Sequence, residues 1–456
     1  MNNQLYKINK NTLYYLYNIP ITIEIINICK INNIIEIIFN EVFNKSIDIL
    51  ENLDDLQKIS FEKWYSGFNQ PINKLPKNLQ TIILGNKFNN SIDNFPDSIK
   101  TIELGNDFNY IINKLPSNIH TLKVGCSFNQ SLDILHNLHT LILGYNFDQP
   151  LNNLPNTLVY LELGNNFNNP INIPPSLQTL KLGNKFNQPI FDVLKINYSL
   201  HTLILGDAFN QQIYNLPDTL HTLILGYNFN KPIDKLPQSL HTLKLGTNFN
   251  QSINNLPNML HTIELGYNFD KSIDMLPQSL YTLNLGMSHK FNYSLNKLQN
   301  TKLYTMILGY NFNQSIDMLP QTLHTLKLGT NFNQPVNNLP LALNILSFGT
   351  KFNQPIDNLP ITLDKLYFGY DFNQSVNNLP ELSILNFGTR FNQSIDNLPN
   401  SIQILNFKYA FNQPINKLPT SLHTLYLDDR YCNTTNVPSS VNIIKLEYDN
   451  LYYFEE

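Results

Sequence analysis

Apolar residues recur in the six-residue pattern L-x-x-L-x-L about every twenty residues along most of the chain, as at Leu240, Leu243 and Leu245. The alternation of the last two leucines with polar residues is typical of a short strand that buries one face. A glycine follows the pattern at sixteen sites from Gly85 to Gly388, where the missing Cβ lets the chain leave the sheet, including through positive φ. The hydrophobic pattern therefore predicts one short strand in each repeat.

The polar half of the repeat has the same period. A Phe followed by Asn or Asp occurs eighteen times in the same frame of the repeat from Phe68 to Phe411, at spacings of 19 to 23 residues. A fixed period of this size is the signature of a repeat architecture. Before the next strand stands a Leu-Pro pair, such as Leu236 and Pro237, in which proline pushes the leucine toward extended geometry. We therefore expect a return side of extended segments and turns without long helices.

The leucine pattern can be followed from Ile34 to Leu446 and predicts 21 short strands. Strands joined by such crossovers are parallel, and the coil is right-handed. The predicted fold class is thus a β-solenoid of leucine-rich-repeat-like type with repeats of 19 to 20 residues. One repeat buries too little apolar surface to fold alone, so stability belongs to the stack and its two ends need caps. We assign residues 1–33 to an N-terminal cap, 34–67 to degenerate repeats with an insertion around Trp64, 68–430 to the regular array and 431–456 to a C-terminal cap.

The repeat letters, including "FNQPI" at Phe186 and Phe352, resemble those of the FNIP repeat family over roughly residues 34–446. The resemblance implies a leucine-rich-repeat-like solenoid of a kind found in amoebae and in the large DNA viruses that infect them. The asparagine ladder of ordinary leucine-rich repeats falls here on a variable position, occupied by Asn248 but also by Lys87 and Ala208. We expect the Phe to point inward as a core spine, and the following Asn to turn in and bond backbone groups of its own and neighbouring coils.

Composition and charge limit the classes of partner that the protein is expected to bind. The net charge is −4 with only 14% charged residues, so we expect neither nucleic acid nor a membrane as a partner. No apolar run approaches the roughly 18 residues that span a bilayer, and the odd number of cysteines, three, fits a reducing compartment. We predict a cytoplasmic protein, in the host cytoplasm if the chain is viral.

The sequence contains no recognisable catalytic motif. Eight of the ten histidines stand at the second position of L-x-x-L-x-L, for example His241 and His261. A column presents them in a line, whereas metal ligands must converge on a point. We predict a ladder of solvated imidazoles, no metal or other cofactor, and no enzymatic activity.

A partner-binding surface is predicted where the outward residues depart from the repeat. From Leu343 to Phe407 the usual His-Thr pair disappears, and outward Ile and Tyr stand beside polar residues, as a partner-binding patch requires. The candidates are Ile345, Asp364, Lys365, Tyr367, Ile384, Asn386, Ile404 and Asn406. A separately duplicated block that drifted in sequence explains the same departures and remains the alternative.

The leading functional prediction is a non-enzymatic scaffold that binds an unidentified protein, with no prediction of oligomeric state. Some proteins with these repeats carry an N-terminal F-box, so the resemblance also implies a substrate-recruiting subunit of a ubiquitin ligase. Here the segment "NIPITIEIINICKINN", from Asn18 to Asn33, leaves little room for a three-helix module before the repeats begin. The Thr and Asn ladders leave carbohydrate or ice binding as a third possibility.

Overall fold

The computed structural model describes residues 5–62, 65–190, 194 and 197–446 and comprises two compact units, Met1–Gly226 and Tyr227–Glu456. The strands of the first unit are β1 (Tyr6–Asn9), β2 (Thr12–Tyr15), β3 (Glu36–Phe39), β4 (Lys58–Phe61), β5 (Thr81–Ile83), β6 (Thr101–Leu104), β7 (Thr121–Val124), β8 (Thr140–Leu143), β9 (Tyr160–Leu163), β10 (Thr179–Leu182), β11 (Thr202–Leu205) and β12 (Thr222–Leu225). Those of the second unit are β13 (Thr242–Leu245), β14 (Thr262–Glu264), β15 (Thr282–Asn284), β16 (Thr305–Ile307), β17 (Thr325–Lys327), β18 (Ile345–Ser347), β19 (Lys365–Tyr367), β20 (Ile384–Asn386), β21 (Ile404–Asn406), β22 (Thr424–Asp428) and β23 (Asn442–Leu446). Among the described residues, the helical elements with defined ends are α1 (Ile23–Ile31) and two 3₁₀ turns, Asp48–Asn52 and Asn296–Leu298.

Consecutive coils pair their strands in parallel and in strict register. Thr101 and Ile102 of β6, for instance, lie opposite Thr121 and Leu122 of β7, and the second unit repeats this pairing from β13 and β14 onward. The strands β3–β23 are the 21 strands that the leucine pattern predicts. The predicted β-solenoid with very little helix is confirmed.

The N-terminal segment has structure that the sequence did not reveal. Strands β1 and β2 form an antiparallel hairpin in which Tyr6 lies opposite Tyr15, and β2 then pairs in parallel with β3. Helix α1 begins after Thr22, whose hydroxyl accepts a hydrogen bond from the Ile25 N–H, and it buries Ile25, Ile26 and Cys29. The assignment of residues 1–33 as a cap stays a prediction.

Phenylalanine rings form the spine of the core. Phe88 and Phe108 are fully buried, and their ring centroids stand 6.2 Å apart in nearly parallel planes. Phe43, which precedes the regular array, is also buried and stacks 6.2 Å from Phe68. Each ring removes a large apolar surface from water and stacks on the rings of neighbouring coils. The expected inward orientation of the Phe is thus confirmed, and the column begins earlier than expected.

The glycine column has a different cause from the one we expected. Among the described residues, no glycine adopts a positive φ. A Cβ added to Gly164 would instead come within 3.0 Å of the backbone of Gly144 one coil before, and Gly369 stands in the same relation to Gly349. Glycine is required because successive backbones approach each other too closely for any side chain.

At the other end of the chain, Tyr431 is buried and stacks 5.7 Å from Phe411. Its hydroxyl donates a hydrogen bond to the Gln413 carbonyl at 2.8 Å. The inserted Trp64 and the end of the predicted C-terminal cap, residues 447–456, lie outside the described residues. Within the described ranges, no helix combines the length and apolarity needed to cross a bilayer.

Candidate partner-binding surface

The outer face of the strands carries two columns of side chains, from the third and fifth positions of L-x-x-L-x-L. In regular coils the third position is threonine, as where Thr202 lies opposite Thr222. The fifth position forms the expected ion pairs between strands, Lys123 to Glu103 at 2.7 Å and Lys244 to Glu264 at 3.0 Å. Such exposed pairs contribute little free energy but help to fix the register.

On strands β18–β21 the same two columns have a different character. The register brings Ile345, Lys365, Ile384 and Ile404 into one column and Ser347, Tyr367, Asn386 and Asn406 into the next. Asp364 directly precedes β19 and is half-buried, as are the candidates other than Asn406. The structure therefore places the sequence-predicted residues side by side on four adjacent strands.

Asn406 differs from the other candidates because it is enclosed. Its exposed fraction is only 3%, and its Oδ1 is buried without a hydrogen-bond partner. Its register partner on the following strand is the large side chain of Tyr426, whereas Asn386 on β20 stays half-buried. Asn406 cannot offer its side chain to a partner in this conformation, which corrects the expectation that it faces outward.

Tyr367 is the aromatic residue of this surface. Burial, and then the negative charge of Asp364, raise the pKa of Tyr367 above its ordinary value of 10.0. The phenol is therefore neutral near pH 7 and can donate a hydrogen bond while its ring makes apolar contact. These properties explain why tyrosine is enriched in protein interfaces.

Two exposed apolar residues extend this surface and were not identified from the sequence. Leu341 and Ile361 are 74% and 90% exposed in the turns that lead into β18 and β19. The Thr362 hydroxyl donates a hydrogen bond to the Leu341 carbonyl at 2.7 Å, so the two turns are tied together. Leu341 and Ile361 are the residues that follow the Leu-Pro pair of their coils, a position that is glutamine in other coils of this unit: Gln238, Gln278 and Gln321. The change from glutamine to an apolar residue was the sequence signal that could have identified them.

The coils of β18–β21 also differ from the regular coils in their buried side chains. The sixth position of the pattern changes from Leu to Phe in a second buried column: Phe348, Phe368, Phe387 and Phe407. Each of these rings stacks on the Phe of its own coil, as Phe368 does on Phe372 with centroids 3.7 Å apart. The distinct outer surface therefore coincides with a distinct core.

Asparagines join the coils along the edge that follows the Phe column. The Asn353 Oδ1 accepts hydrogen bonds from the Asn373 N–H at 2.9 Å and from the Gln374 Nε2 at 3.1 Å. The predicted bonding to neighbouring coils is confirmed, although the side chains lie at the surface and not inside. Where Asn occupies the variable position before the Phe in successive coils, a second short ladder forms, as from Asn268 Nδ2 to Asn248 Oδ1 at 2.9 Å.

The histidine column consists of stacked rings. Ring centroids are 4.8 Å apart for His120 and His139 and 5.2 Å apart for His201 and His221. The His120 Nδ1 lies 2.7 Å from the Asn118 carbonyl oxygen, so the backbone holds that ring in place. A search of the part of the chain that the structure describes found no group of three or more His, Cys, Asp or Glu side chains able to hold a metal ion.

Comparisons with known proteins agree with this architecture. The model of the FNIP Repeat family matches residues 68–107, 88–127, 128–166, 194–228, 249–288, 312–351, 332–371 and 391–429, which together are more than half of the chain. No curated protein matches the chain.

Two solved structures illustrate what the chain is similar to. YopM from Yersinia enterocolitica WA-314 is 20% identical over 83% of this chain and 84% of that chain, with a TM-score of 0.53. CroV588, described as a novel circular LRR protein, is 26% identical over 97% of this chain and 100% of that chain, with a TM-score of 0.39. The likeness to YopM supports a leucine-rich-repeat type of fold.

Proposed function

The chain belongs to the FNIP repeat family, and from this premise we propose that it is a non-enzymatic scaffold that binds another protein through the outer face of β18–β21. Repeat scaffolds of the leucine-rich-repeat type are commonly used for protein interaction, because stacked coils present a long surface in which single positions can vary freely. The partner is a protein, and a cofactor has no part in the proposed function.

One observation carries the proposal: the outward residues of the third and fifth positions change character together on the four adjacent strands β18–β21. The fifth position of regular coils carries ion pairs such as Lys244 with Glu264, whereas Tyr367 and Asn386 occupy it on β19 and β20. Interfaces are depleted of charge and enriched in aromatic side chains at their centres. The exposed Leu341 and Ile361 add apolar area at the margin of the same surface.

The ubiquitin-ligase alternative receives no comparable support. Residues 5–33 form a hairpin and a single helix of nine residues, and β2 pairs directly with β3 of the repeat stack. This arrangement connects the N-terminal segment to the solenoid.

A matched pair of triple variants tests the proposal. The surface variant combines Tyr367→Ala, Ile384→Ala and Ile404→Ala, and the control variant combines Thr202→Ala, Ile204→Ala and Ile224→Ala on β11 and β12. All six side chains are half-buried on outer strand faces, so the two variants remove similar contacts from different regions. Both are compared with the original chain by affinity capture from lysate and quantitative mass spectrometry, after circular dichroism has shown equal folding.

We expect the original chain and the control variant to capture at least one protein in equal amounts. The surface variant should capture at least about tenfold less of that protein, the range expected when interface anchors are truncated. A capture profile identical for all three chains would refute binding through β18–β21. Loss on the control variant alone would assign partner binding to the first unit.

A further inference from the structure

The second unit contains a groove that the strand-face surface does not use. It has a volume of about 590 Å³ and lies beside the Phe column. Its lining consists of side chains that come directly before or after a column Phe: Lys290, Asn292, Asn311, Asn313, Asn331, Asn333 and Lys351. Two cationic and five amide side chains line it, and none of the lining side chains is a carboxylate.

The ladder of asparagines orients the amides of the groove. The Asn292 Oδ1 accepts the Asn313 N–H at 2.8 Å, and the Asn313 Oδ1 accepts the Asn333 N–H at 2.9 Å. The Asn333 Oδ1 in turn accepts the Asn353 N–H at 2.9 Å. Because each Oδ1 is engaged by the next coil, the Nδ2 donors are the groups that these three side chains can offer to a ligand.

The cations of the groove differ from two others in the same column, Lys87 and Arg390. Lys87 is ion-paired with Asp107 at 2.7 Å, and Arg390 with Asp371 at 2.8 Å. Within the described residues, Lys290 and Lys351 form no ion pair, and Asp371, the residue one coil beyond Lys351, is held by Arg390. The charge of both lysines is therefore available to an anionic ligand.

The residue before Lys290 is fixed by aromatic stacking and by a hydrogen bond to the next coil. The ring of the preceding residue, His289, is sandwiched between Tyr267 and Tyr310, with centroid distances of 4.0 and 4.5 Å. The Asn311 Nδ2 donates a hydrogen bond to the His289 carbonyl. One end of the groove is therefore organised before any ligand arrives, which reduces the entropy cost of binding.

The repeat of the coils that carry the groove, measured at their Phe rings, is close to the side-chain repeat of an extended peptide. The Phe rings of its four coils are 6.0 to 6.1 Å apart, and side chains on one face of an extended chain recur every roughly 6.7 Å. We propose that this groove binds an extended acidic peptide segment, whose alternate Asp or Glu side chains accept hydrogen bonds from the Nδ2 groups of Asn292, Asn313 and Asn333, between Lys290 and Lys351. This site is separate from the β18–β21 face and goes beyond the function proposed above.

An acidic peptide fits better than a nucleic acid, the other extended anion with a similar repeat. Nucleic-acid binding needs a basic stripe or patch that neutralises many phosphates. The chain has a net charge of −4, and the groove has only two lysines.

The sharpest variant is Asn313→Asp, which keeps the acceptor that the ladder needs and replaces the proposed donor with a negative charge. The ladder itself tolerates Asp, because the Asp148 Oδ1 accepts the Asn168 N–H at 2.9 Å. Asn412→Asp is the matched control, since Asn412 belongs to the same ladder outside the groove. A second test variant combines K290Q and K351Q and removes two positive charges from the groove. Its matched control combines K327Q and K417Q and removes two positive charges outside the groove.

The probe is a fluorescent ten-residue peptide of alternating Glu and Ser, titrated with the full chain in 50 mM salt and read by anisotropy. We expect Asn313→Asp to raise the Kd by at least about tenfold, because its carboxylate repels the acidic peptide. The double variant K290Q, K351Q should raise the Kd as much, because two attractive charges are lost. Both control variants should change the Kd by less than about twofold. Equal weakening by groove and control variants would overturn the proposal. So would absence of binding at 1 mM, equal binding of a Gln-Ser peptide, or tighter binding of a ten-nucleotide thymidine strand.

Discussion

The coils of β11 and β12 differ from those of β18–β21 in three positions of the repeat, two on the outer side of the strand and one on the inner side. The former carry outward threonine and isoleucine and end inward on Leu205 and Leu225. The latter carry outward isoleucine, lysine and tyrosine and end inward on phenylalanine. The column of Phe and the Asn ladder beside it continue through both regions, whereas the glycines that end the strands continue only as far as Gly388 after β20, and Lys408 stands in their place after β21. The comparison shows that a coil can change its core and its surface together while keeping the contacts that align it with its neighbours.

The largest effect should come from removing a ring of the Phe column. Phe372 stacks on Phe368 of its own coil at 3.7 Å and on Phe352 at 6.1 Å, whereas Phe167 has only its column neighbours, such as Phe147 at 6.1 Å. We expect Phe372→Ala and Phe167→Ala each to cost about 3–5 kcal/mol, with the former costing about 1 kcal/mol more because an additional ring contact is lost. Urea unfolding followed by circular dichroism measures both, and equal losses would show that the second Phe column adds no stability.

The glycine column should not distinguish the two regions. Gly164→Ala and Gly369→Ala would each force a Cβ against the backbone of the preceding coil, so we expect each to cost about 3 kcal/mol. Gly286 is a built-in control, because its added Cβ would meet only the Ile307 Cγ2 at 3.0 Å and the Asn284 Oδ1 at 3.1 Å, both side-chain atoms. Its substitution by Ala should cost about 1 kcal/mol. A larger loss at Gly286 than at Gly164, measured by urea unfolding, would contradict the backbone-contact explanation.

Exchanging the inner residues of the sixth position between the two regions should destabilise the chain in both directions. Phe368→Leu leaves a gap beside Phe372 and should cost about 1–2 kcal/mol. Leu225→Phe inserts a ring into a buried coil that lacks room for it and should cost about 1–3 kcal/mol. If Leu225→Phe instead raises the unfolding midpoint, the core of the regular coils contains unfilled space, and the comparison between the two regions weakens.

The smallest effect concerns alkaline pH. Since the pKa of Tyr367 is raised above 10.0 in the folded chain, the unfolded chain loses this proton first. The resulting stabilisation is fully present below about pH 10 and is lost as the pH rises through the folded-state pKa. We expect Tyr367→Phe to lessen the fall of the urea midpoint between about pH 9.5 and 11. An unchanged slope in this variant would contradict the prediction.

Most of the repeat could be predicted because each of its signals is local and is repeated many times. The leucine alternation predicted β3–β23, and the Phe and Asn columns followed from their fixed period. The hairpin β1–β2 and helix α1 occur once, so no period revealed them. The reason for the glycines also escaped sequence reasoning, because it lies in the contact between Gly164 and Gly144, residues of different coils.

The candidate surface was predicted less completely than the fold. The register confirmed that Ile345, Lys365 and Ile384 are neighbours, but the pattern of alternation treats every third and fifth position as outward. It could not show that Asn406 is enclosed, since burial there depends on the side chains of the next strand. Leu341 and Ile361 were not predicted, because they lie in the turns before the strands and the leucine pattern describes only strand positions.

The Asn ladder has a consequence for how the gene can change. Along the ladder, a coil donates one N–H hydrogen bond to the Asn of the coil before it and accepts the same bond from the coil after it, as Asn333 does between Asn313 and Asn353. A whole unit gained or lost by unequal recombination leaves every remaining donor and acceptor matched, whereas an insertion of a few residues does not. The ladder therefore sets no limit on the number of copies, but it requires each copy to keep a length close to twenty residues.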